Sequence, residues 1–353
     1  MIIKDVQTYY FCLPFTNPMR VGNYRLLQRE GFIVRLTDDF GNTGLGEIAP
    51  LPGLDTVTLE DCRREIRDFS RMVKTGFCRE LVFNPSVRFG LEAAIFAMTE
   101  GIRRKKGKDP DVTMEVPING LFVPDDDSDA ERMQVKRLLK DGFKTIKVKI
   151  GRLSPDSETA SIRRLFERSG GSIRFRFDAN RSMTISRYQK YYSVLGDLPV
   201  EYVEEPLENG DFERAGEVGW PLAIDESLPS FWDPENRVFS NLPDAVTHAV
   251  IKPGTPAGFR EVIGYFSRDA NTRIVPVVSS AFNTAIGTCA LMLFLNPVPL
   301  SRRTAHGLDA GSFLSNDLMD DALQVKNGRL SAMVNILWAN SFPVDAPLVE
   351  IEP

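Results

Sequence analysis

The chain has 353 residues, of which 42% are hydrophobic and 26% are charged, and its net charge is −5. This composition is typical of a soluble globular protein, and the negative balance argues against a general nucleic-acid binder. The longest apolar stretch, ALMLFLNPV, is too short to span a bilayer, so we expect no membrane partner.

Few cysteines and histidines are available for metal or redox chemistry. The four cysteines show no CxxC spacing, and the N-terminal MIIKDVQTYYF carries charges where a signal peptide needs an apolar run. We therefore expect free thiols and a cytoplasmic location. The chain has only two histidines, His248 and His306, which argues against a histidine-rich zinc site and a histidine-based triad.

Residues 1–112 are predicted to form an α+β domain. Strand-like alternation occurs in IIKDVQTYYF, GFIVRLTDD and TGLGEIAP. Two helix-like stretches follow, with Thr58 and Ser86 as plausible N-caps. This segment shows no rhythm of parallel strands.

From about residue 113, strand-like runs alternate with helix-like runs. The strand-like runs are MEVPING, KTIKVKI, IRFRFDA, VEYVEEP, LAIDE, VTHAVIK, RIVPVVSS and LSRRTAHG. Eight strands with seven helices predict a (β/α)₇β barrel over residues 113–320, and residues 321–353 are expected to return to the first domain. An open doubly wound sheet is the alternative, but the turn after MEVPING lacks the glycine-rich pattern of that fold.

Charged residues end consecutive predicted barrel strands. They are Lys147 and Lys149, Asp178, Glu204, Asp225 and Lys252. The gaps between them, counted from Lys149, are 29, 26, 21 and 27 residues, close to the length of one strand and helix. Since the C-terminal ends of barrel strands gather at one mouth, three carboxylates flanked by lysines predict a divalent-metal site between two proton carriers.

Each charge taken alone also has an ordinary structural interpretation. Lys147 and Lys149 share one face of a strand, and both would reach water at a strand end. Asp178, which shares a face with Asn180, would be a helix N-cap. Catalysis would need one lysine to be neutral, which a like-charged neighbour favours. The complete order of charges on five consecutive strands makes the functional interpretation the stronger one.

Two of the acidic positions stay ambiguous from the pattern. Glu204 and Glu205 are adjacent and point opposite ways, so only one can enter the site, and Asp225 and Glu226 pose the same problem. Whichever residues enter, oxygen ligands without histidine or thiolate favour Mg²⁺.

These residues carry a family resemblance over essentially the whole chain. The matching segments are GEIAPLPGL at 46–54, FDAN at 177–180, EEP at 204–206, DES at 225–227, IKP at 251–253, PVVSSAFNTAIG at 276–287 and AHGLDAG at 305–311. Together with the two lysines of KTIKVKI, they resemble the muconate-lactonizing-enzyme subgroup of the enolase superfamily, and within it the o-succinylbenzoate synthases. One departure is AFNT at 281–284, where many relatives have a more polar run.

The resemblance implies roles for individual residues. It assigns the Mg²⁺ ligands to Asp178, Glu204 and Asp225, the acid/base lysine to Lys149, and the lysine on the opposite face to Lys252. Lys147 is counted with the catalytic groups on a separate ground, since its like charge would favour the neutral form of Lys149. The candidates for substrate binding are Ser279, Ser280, Asn180 and Arg25.

The first domain is expected to close over the barrel mouth. A loop from about Phe15 to Arg29 and a second loop at residues 50–54 would reach the site. Arg20 or Arg25 could then meet a substrate carboxylate, although simple solvation is the more ordinary role of either arginine.

The implied activity is a Mg²⁺-dependent dehydration of a small-molecule carboxylate. It would convert 2-succinyl-6-hydroxy-2,4-cyclohexadiene-1-carboxylate to 2-succinylbenzoate, a step of menaquinone biosynthesis, through an ene-diolate. The alternative is an N-acylamino-acid racemase or dipeptide epimerase using the same site. Dipeptide epimerases carry an Asp-x-Asp pair after the eighth strand, which is absent around Asp309. A non-catalytic binding barrel would be expected to have lost part of the charge pattern, and none is missing.

Overall fold

The structure is a computed structural model that describes residues 1–76, 82–107, 113–268, 273–296, 304–308, 313–319, 322–338 and 348–352. An N-terminal domain combines a curved antiparallel sheet with two helices. Its elements are β1 (Ile3–Val21), β2 (Tyr24–Asp38), β3 (Thr43–Ile48), α1 (Leu59–Thr75) and α2 (Pro85–Gly107). The helices cover one face of the sheet, and apolar side chains from both layers form a separate core.

The second domain is a barrel of parallel strands. Its strands are β5 (Gly120–Phe122), β6 (Thr145–Lys149), β7 (Arg174–Asp178), β8 (Val200–Glu204), β9 (Leu222–Ile224), β12 (Val246–Ile251) and β13 (Val275–Val278). They lie in the order β13-β12-β9-β8-β7-β6-β5. The segment 304–308 bridges the two edges, because His306 pairs with Ile118 and Gly307 with Ser279. The sheet is thereby closed.

A helix follows each of these seven strands. The helices are α3 (Ser128–Lys140), α4 (Pro155–Arg168), α5 (Ile185–Leu195), α6 (Phe212–Gly216), α7 (Leu228–Phe231), α8 (Phe259–Arg268) and α9 (Ala285–Leu295). A two-stranded hairpin, β10 (Trp232–Asp233) with β11 (Val238–Phe239), interrupts the α7 connection. The predicted (β/α)₇β barrel with an N-terminal α+β domain is confirmed.

The first predicted barrel strand, MEVPING, is divided between two sheets. β4 (Thr113–Pro117) pairs antiparallel with β15 (Arg329–Met333), and only β5 enters the barrel. β14 (Leu323–Lys326) completes this three-stranded sheet. The prediction of a single strand was therefore wrong, because a run of apolar residues does not show where a chain leaves one sheet for another.

The C-terminal segment contacts both domains. After β15, a 3₁₀ helix (Val334–Trp338) packs beside β3, and β16 (Leu348–Ile351) pairs antiparallel with β1 in the N-terminal sheet. The sheet order is β16-β1-β2-β3. The division of domains after residues 112 and 320 stays a prediction, since both positions lie outside the described residues.

The segment Phe15–Arg29, predicted as a loop, is a long β-hairpin. β1 and β2 pair regularly up to Pro14 and Gln28, and after an irregularity between Pro14 and Met19 they pair again up to Val21 and Tyr24, so that Gly22 and Asn23 make the turn. Gly22 has a φ of 54°, which suits glycine in a two-residue hairpin turn. The loop prediction was wrong because the polar sequence of this segment hid its strand pairing.

Local hydrogen bonds explain where the first helices begin. Thr58 caps α1 reciprocally with Asp61, as predicted. The predicted cap Ser86 is incorrect, since the Asn84 side chain accepts from the Val87 amide at 3.0 Å instead. Asparagine is as effective an N-cap as serine, so the sequence alone did not separate them. No helix within the described ranges is long and apolar enough to cross a membrane.

We predict that Gly46→Ala destabilises the protein by about 1–3 kcal/mol or more, because a β-carbon there would lie 1.9 Å from the Gly90 carbonyl oxygen of α2. The control is Gly264→Ala in α8, where the nearest atom is a flexible Arg268 nitrogen at 3.6 Å. A helical glycine replaced without a clash should gain about 0.5–1 kcal/mol. Urea unfolding followed by circular dichroism measures both. Equal stability of the two variants would contradict the close packing of β3 on α2.

Candidate active site

The predicted charged residues meet at the C-terminal mouth of the barrel. Strand register places Lys149 level with Asp178, and Asp178 level with Glu204, along β6, β7 and β8. Asp225 directly follows β9 and Lys252 directly follows β12. The two outer lysines are separated by three strands, so they flank the carboxylates from opposite sides.

Four ion pairs hold the mouth together. Lys147 Nζ lies 2.7 Å from both Asp178 Oδ2 and Glu204 Oε2. Lys149 Nζ lies 2.6 Å from Asp178 Oδ2 and donates to Asn180 Oδ1 at 2.8 Å. On the far side, Lys252 pairs with Asp225. Three carboxylates are thus balanced by three ammonium groups.

The structure separates the adjacent acidic residues that the pattern left ambiguous. Glu204 is fully buried and pairs with Lys147 inside the barrel. Glu205 turns away and accepts hydrogen bonds from the Asp225 and Ser227 amides. Asp225 is buried beside Lys252, while Glu226 is exposed.

Burial and neighbouring charges shift the carboxylates in opposite directions. Burial raises the pKa of Glu204, and the negative charges of Asp178 and Asp225 add to that rise. Burial also acts to raise the pKa of Asp178, but Lys147 and Lys149 outweigh it and hold that pKa below its usual range. Asp178 is the more firmly ionised of the two carboxylates because it contacts two lysines, whereas Glu204 contacts one.

The lysines that are most buried are held in the charged form. Burial acts to lower the pKa of Lys147, yet Asp178 and Glu204 raise it well above its ordinary value. The pKa of Lys252 is raised in the same way, with Asp225 as the main opposing charge to burial. Lys252 is therefore suited to stabilise negative charge.

The donor set fits a hard divalent cation. Asp178, Glu204 and Asp225 supply buried carboxylate oxygens, with no histidine or thiolate among them, which is the chemistry that Mg²⁺ prefers. Among the residues that the structure describes, no three acidic, histidine or cysteine side chains converge as a finished cage. The Lys147 ammonium lies between Asp178 and Glu204, so cationic charge already occupies the space between them.

A cavity of 190 Å³ adjoins the site between the two domains. Residues 54–57 of the N-terminal domain form one wall, and the strand-end residues Asp225 and Lys252 form another. Glu226 and Asp55 also line it, so three carboxylates face one lysine. The loop at residues 50–54 was predicted to reach the site. Of these residues Leu54 lines the cavity, together with residues 55–57.

The remaining predicted substrate residues differ in their positions. Ser279 and Ser280 follow β13 and are half-buried, and the Ser280 hydroxyl donates to Asn283 Oδ1 at 3.2 Å. Asn180 is exposed at the mouth beside Lys149. Arg25 is exposed near the tip of the β1–β2 hairpin, opposite Arg20. Their roles in binding stay predictions.

Glu47 links the N-terminal domain to the barrel loop that carries these serines. It is buried in β3, and it accepts from Asn283 Nδ2 at 2.7 Å and from the amides of Thr284 and Gly287 at 3.0 and 3.1 Å. Since Asn283 in turn bonds Ser280, a chain of hydrogen bonds runs from the first domain to the mouth. Burial raises the pKa of Glu47, while Arg29 opposes that rise.

No local sequence pattern indicates a role for Glu47 or Arg29. Arg29 is buried and donates to the Pro50 carbonyl at 2.7 Å and the Phe282 carbonyl at 3.2 Å. Glu47 lies within the quoted GEIAPLPGL motif, which was the available signal. Its partners lie more than 230 residues away in sequence, and no local pattern reports such a contact.

Two family models match the chain. Residues 3–98 match the MenC N-terminal domain, and residues 130–334 match the family described as enolase C-terminal domain-like. The chain belongs to the enolase superfamily. The predicted resemblance to this superfamily is thereby confirmed.

Curated relatives support the finer resemblance. The o-succinylbenzoate synthase of Vibrio cholerae is 28% identical over 291 residues, which cover 81% of this chain and 83% of that protein. The chloroplastic protein PHYLLO of Arabidopsis thaliana is 27% identical over 358 residues, covering 87% of this chain. The chain spans only 21% of the length of PHYLLO.

Solved structures share the fold. The dipeptide epimerase of Enterococcus faecalis, crystallised with Mg and L-Leu-L-Tyr, has a TM-score of 0.74 at 19% identity and covers 95% of this chain and 99% of its own. The muconate lactonizing enzyme of Pseudomonas fluorescens, crystallised with muconolactone, has a TM-score of 0.71 at 16% identity and covers 95% of each chain. Enzymes of this superfamily architecture thus include proteins that bind Mg and small molecules.

We predict that Glu47→Gln lowers the free energy of unfolding by about 1–3 kcal/mol, because four groups donate to this carboxylate and an amide nitrogen would face one of them. Thermal and urea unfolding measure the loss. Glu350→Gln, on the exposed strand β16, is the control and should change little. If both variants unfold like the parent protein, Glu47 does not stabilise the domain junction.

Proposed function

We propose that the protein is an o-succinylbenzoate synthase. It dehydrates 2-succinyl-6-hydroxy-2,4-cyclohexadiene-1-carboxylate to 2-succinylbenzoate in menaquinone biosynthesis, and it requires Mg²⁺. The observation that carries the proposal is the barrel mouth itself, in which Lys149 and Lys252 flank three buried carboxylates. The match to the MenC N-terminal domain and the similarity to proteins named o-succinylbenzoate synthase support the choice of substrate.

Asp178, Glu204 and Asp225 would hold the metal. When bound, Mg²⁺ acts as a Lewis acid toward the substrate carboxylate and offsets the charge that develops there. Asp178 also contacts the Lys149 ammonium, so the proposed metal site and the proposed base share one carboxylate.

Lys149 removes the proton alpha to the carboxylate. The same lysine then returns the proton to the departing hydroxide on the same face of the ring. Lys252, held in the charged form by Asp225, stabilises the ene-diolate from the opposite face without having to reorganise. Lys147 stays paired with Glu204 and keeps the surrounding charge balanced.

The second candidate is an N-acylamino-acid racemase or dipeptide epimerase. Lysines on both faces would serve as acid and base in either reaction. One observation bears on the dipeptide alone, because only a dipeptide carries an ammonium group, and Asp55, Asp225 and Glu226 outnumber Lys252 around the adjoining cavity. The absence of an Asp-x-Asp pair argues against a dipeptide, although Asp309 lies outside the described residues.

A direct assay separates these activities. The purified protein with Mg²⁺ should consume the cyclohexadiene substrate, followed as loss of diene absorbance, and should lose activity when a chelator removes the metal. It should be much slower on N-succinyl amino acids and on dipeptides, because aromatisation drives only the dehydration. Inversion and alpha-proton exchange of an N-acyl amino acid in D₂O, with the diene untouched, would establish the racemase instead.

The assignment of Lys149 as the base is tested by substitution. Lys149→Ala should lower the exchange of the alpha proton with D₂O by about 10²–10⁴-fold, the usual contribution of a general base. Lys144→Ala is a matched control, since Lys144 is exposed just before the same strand. Exchange at the parental rate in Lys149→Ala, measured by proton NMR, would show that another group removes the proton.

A further inference from the structure

Glu205 forms a buried junction behind the metal-binding residues. Its carboxylate accepts four hydrogen bonds, from the Asp225 amide at 2.9 Å, the Ser227 amide at 2.8 Å, the Ser227 hydroxyl at 2.9 Å and Arg181 Nε at 2.9 Å. Arg181 also donates to the Ser227 hydroxyl at 2.6 Å, so the network is closed on itself. Glu205 is only 1% exposed.

The four bonds join three neighbouring strand ends. Arg181 follows β7, Glu205 follows β8, and Ser227 follows β9. These are the strands that present Asp178, Glu204 and Asp225. A single carboxylate therefore fixes the relative positions of the three turns from which the proposed ligands project, and it bonds the backbone of Asp225 directly.

Two residues of these turns have a backbone conformation that costs free energy and must be stabilised by other contacts. Arg181 has a φ of 56° and Glu205 a φ of 43°, in the left-handed region that residues with a β-carbon adopt at a cost. This conformation at Glu205 turns its side chain behind the site while Glu204 points into it. The network around Glu205 offsets that cost and keeps both glutamates in their separate roles.

We propose that Glu205 is a positioning residue for the metal site, acting through Asp225 and the turns after β7 and β8. The inference rests on the proposed function in one respect, namely that Asp178, Glu204 and Asp225 bind the metal. Residues that orient metal ligands commonly affect metal affinity by about 10–100-fold. We expect a loss of that size when the acceptor oxygens of Glu205 are removed.

Glu158 provides a matched control on the same barrel. It is fully buried and accepts from the amides of Gly151, Arg152 and Leu153 at 2.8, 2.8 and 2.7 Å, and from the Tyr191 hydroxyl. It therefore clamps a turn with as many bonds as Glu205, but this turn carries no carboxylate of the proposed metal site. Glu158→Ala removes a buried clamp without touching the ligands.

The experiment measures Mn²⁺ affinity, by electron paramagnetic resonance of the free ion, in the parent protein and in Glu205→Ala, Glu205→Gln and Glu158→Ala. Glu205→Ala should bind about 10–100-fold more weakly. Glu205→Gln should recover most of the affinity, because its carbonyl oxygen still accepts from the Asp225 and Ser227 amides. Glu158→Ala should lose thermal stability and keep the parental affinity.

The outcomes distinguish a failure of this inference from a failure of the proposed function. Parental affinity in Glu205→Ala, or an equal loss in Glu158→Ala, would overturn the positioning role while leaving the metal site intact. If the parent protein itself binds no Mn²⁺, the proposed metal site fails, and the role of Glu205 fails with it. Should Glu205→Ala not fold, Ser227→Ala removes one bonded hydroxyl, and its affinity should fall about 3- to 10-fold, whereas no change would refute the inference.

Discussion

Charge balance at the barrel mouth constrains everything that the site can do. Three buried carboxylates would each be costly without a partner, and Lys147, Lys149 and Lys252 supply three compensating charges. A divalent cation held by these carboxylates would add two positive charges to this balanced set, which an anionic substrate group would offset. In the proposed reaction, the metal, the base and the substrate carboxylate would therefore share one charge balance.

The N-terminal domain is fixed against the same mouth by buried polar contacts. Glu47 bonds the start of α9, and Arg29 bonds the carbonyl of Phe282 in the loop before it. Burial raises the pKa of Asp55, which lies close enough to Lys252 for that lysine to oppose the rise. When a buried ionisable group is separated from its partner, its charge is left uncompensated and the folded state is destabilised. The contacts at this junction therefore favour one arrangement of the two domains. The cavity beside Lys252 takes its shape from that arrangement.

Structural features that depend on local repetition could be predicted from the sequence. Features that depend on contacts between distant residues could not. The barrel follows from alternating runs, and the strand-end charges follow from the gathering of parallel strands at one mouth. The choice between Glu204 and Glu205 depends on a left-handed φ at Glu205, which no periodicity records. The hairpin at residues 15–29 required pairing between two polar strands. The contacts of Glu47 span nearly the whole chain, so its role became visible only in the folded protein.

Selection between dehydration and racemisation must lie outside the shared proton-abstraction groups. Lys149, Lys252 and the three carboxylates are needed by both reactions, so their presence does not discriminate between them. Dehydration makes an aromatic ring and needs only one base, whereas racemisation needs a proton donor on the opposite face. Lys252 is held in its charged form by Asp225 and can fill either role. What differs is the rest of the substrate, and Asp55 and Glu226 line the cavity that adjoins the site. Under the proposed function, specificity would be set by residues of this kind, whose charge bears on substrate binding and leaves the proton chemistry unchanged.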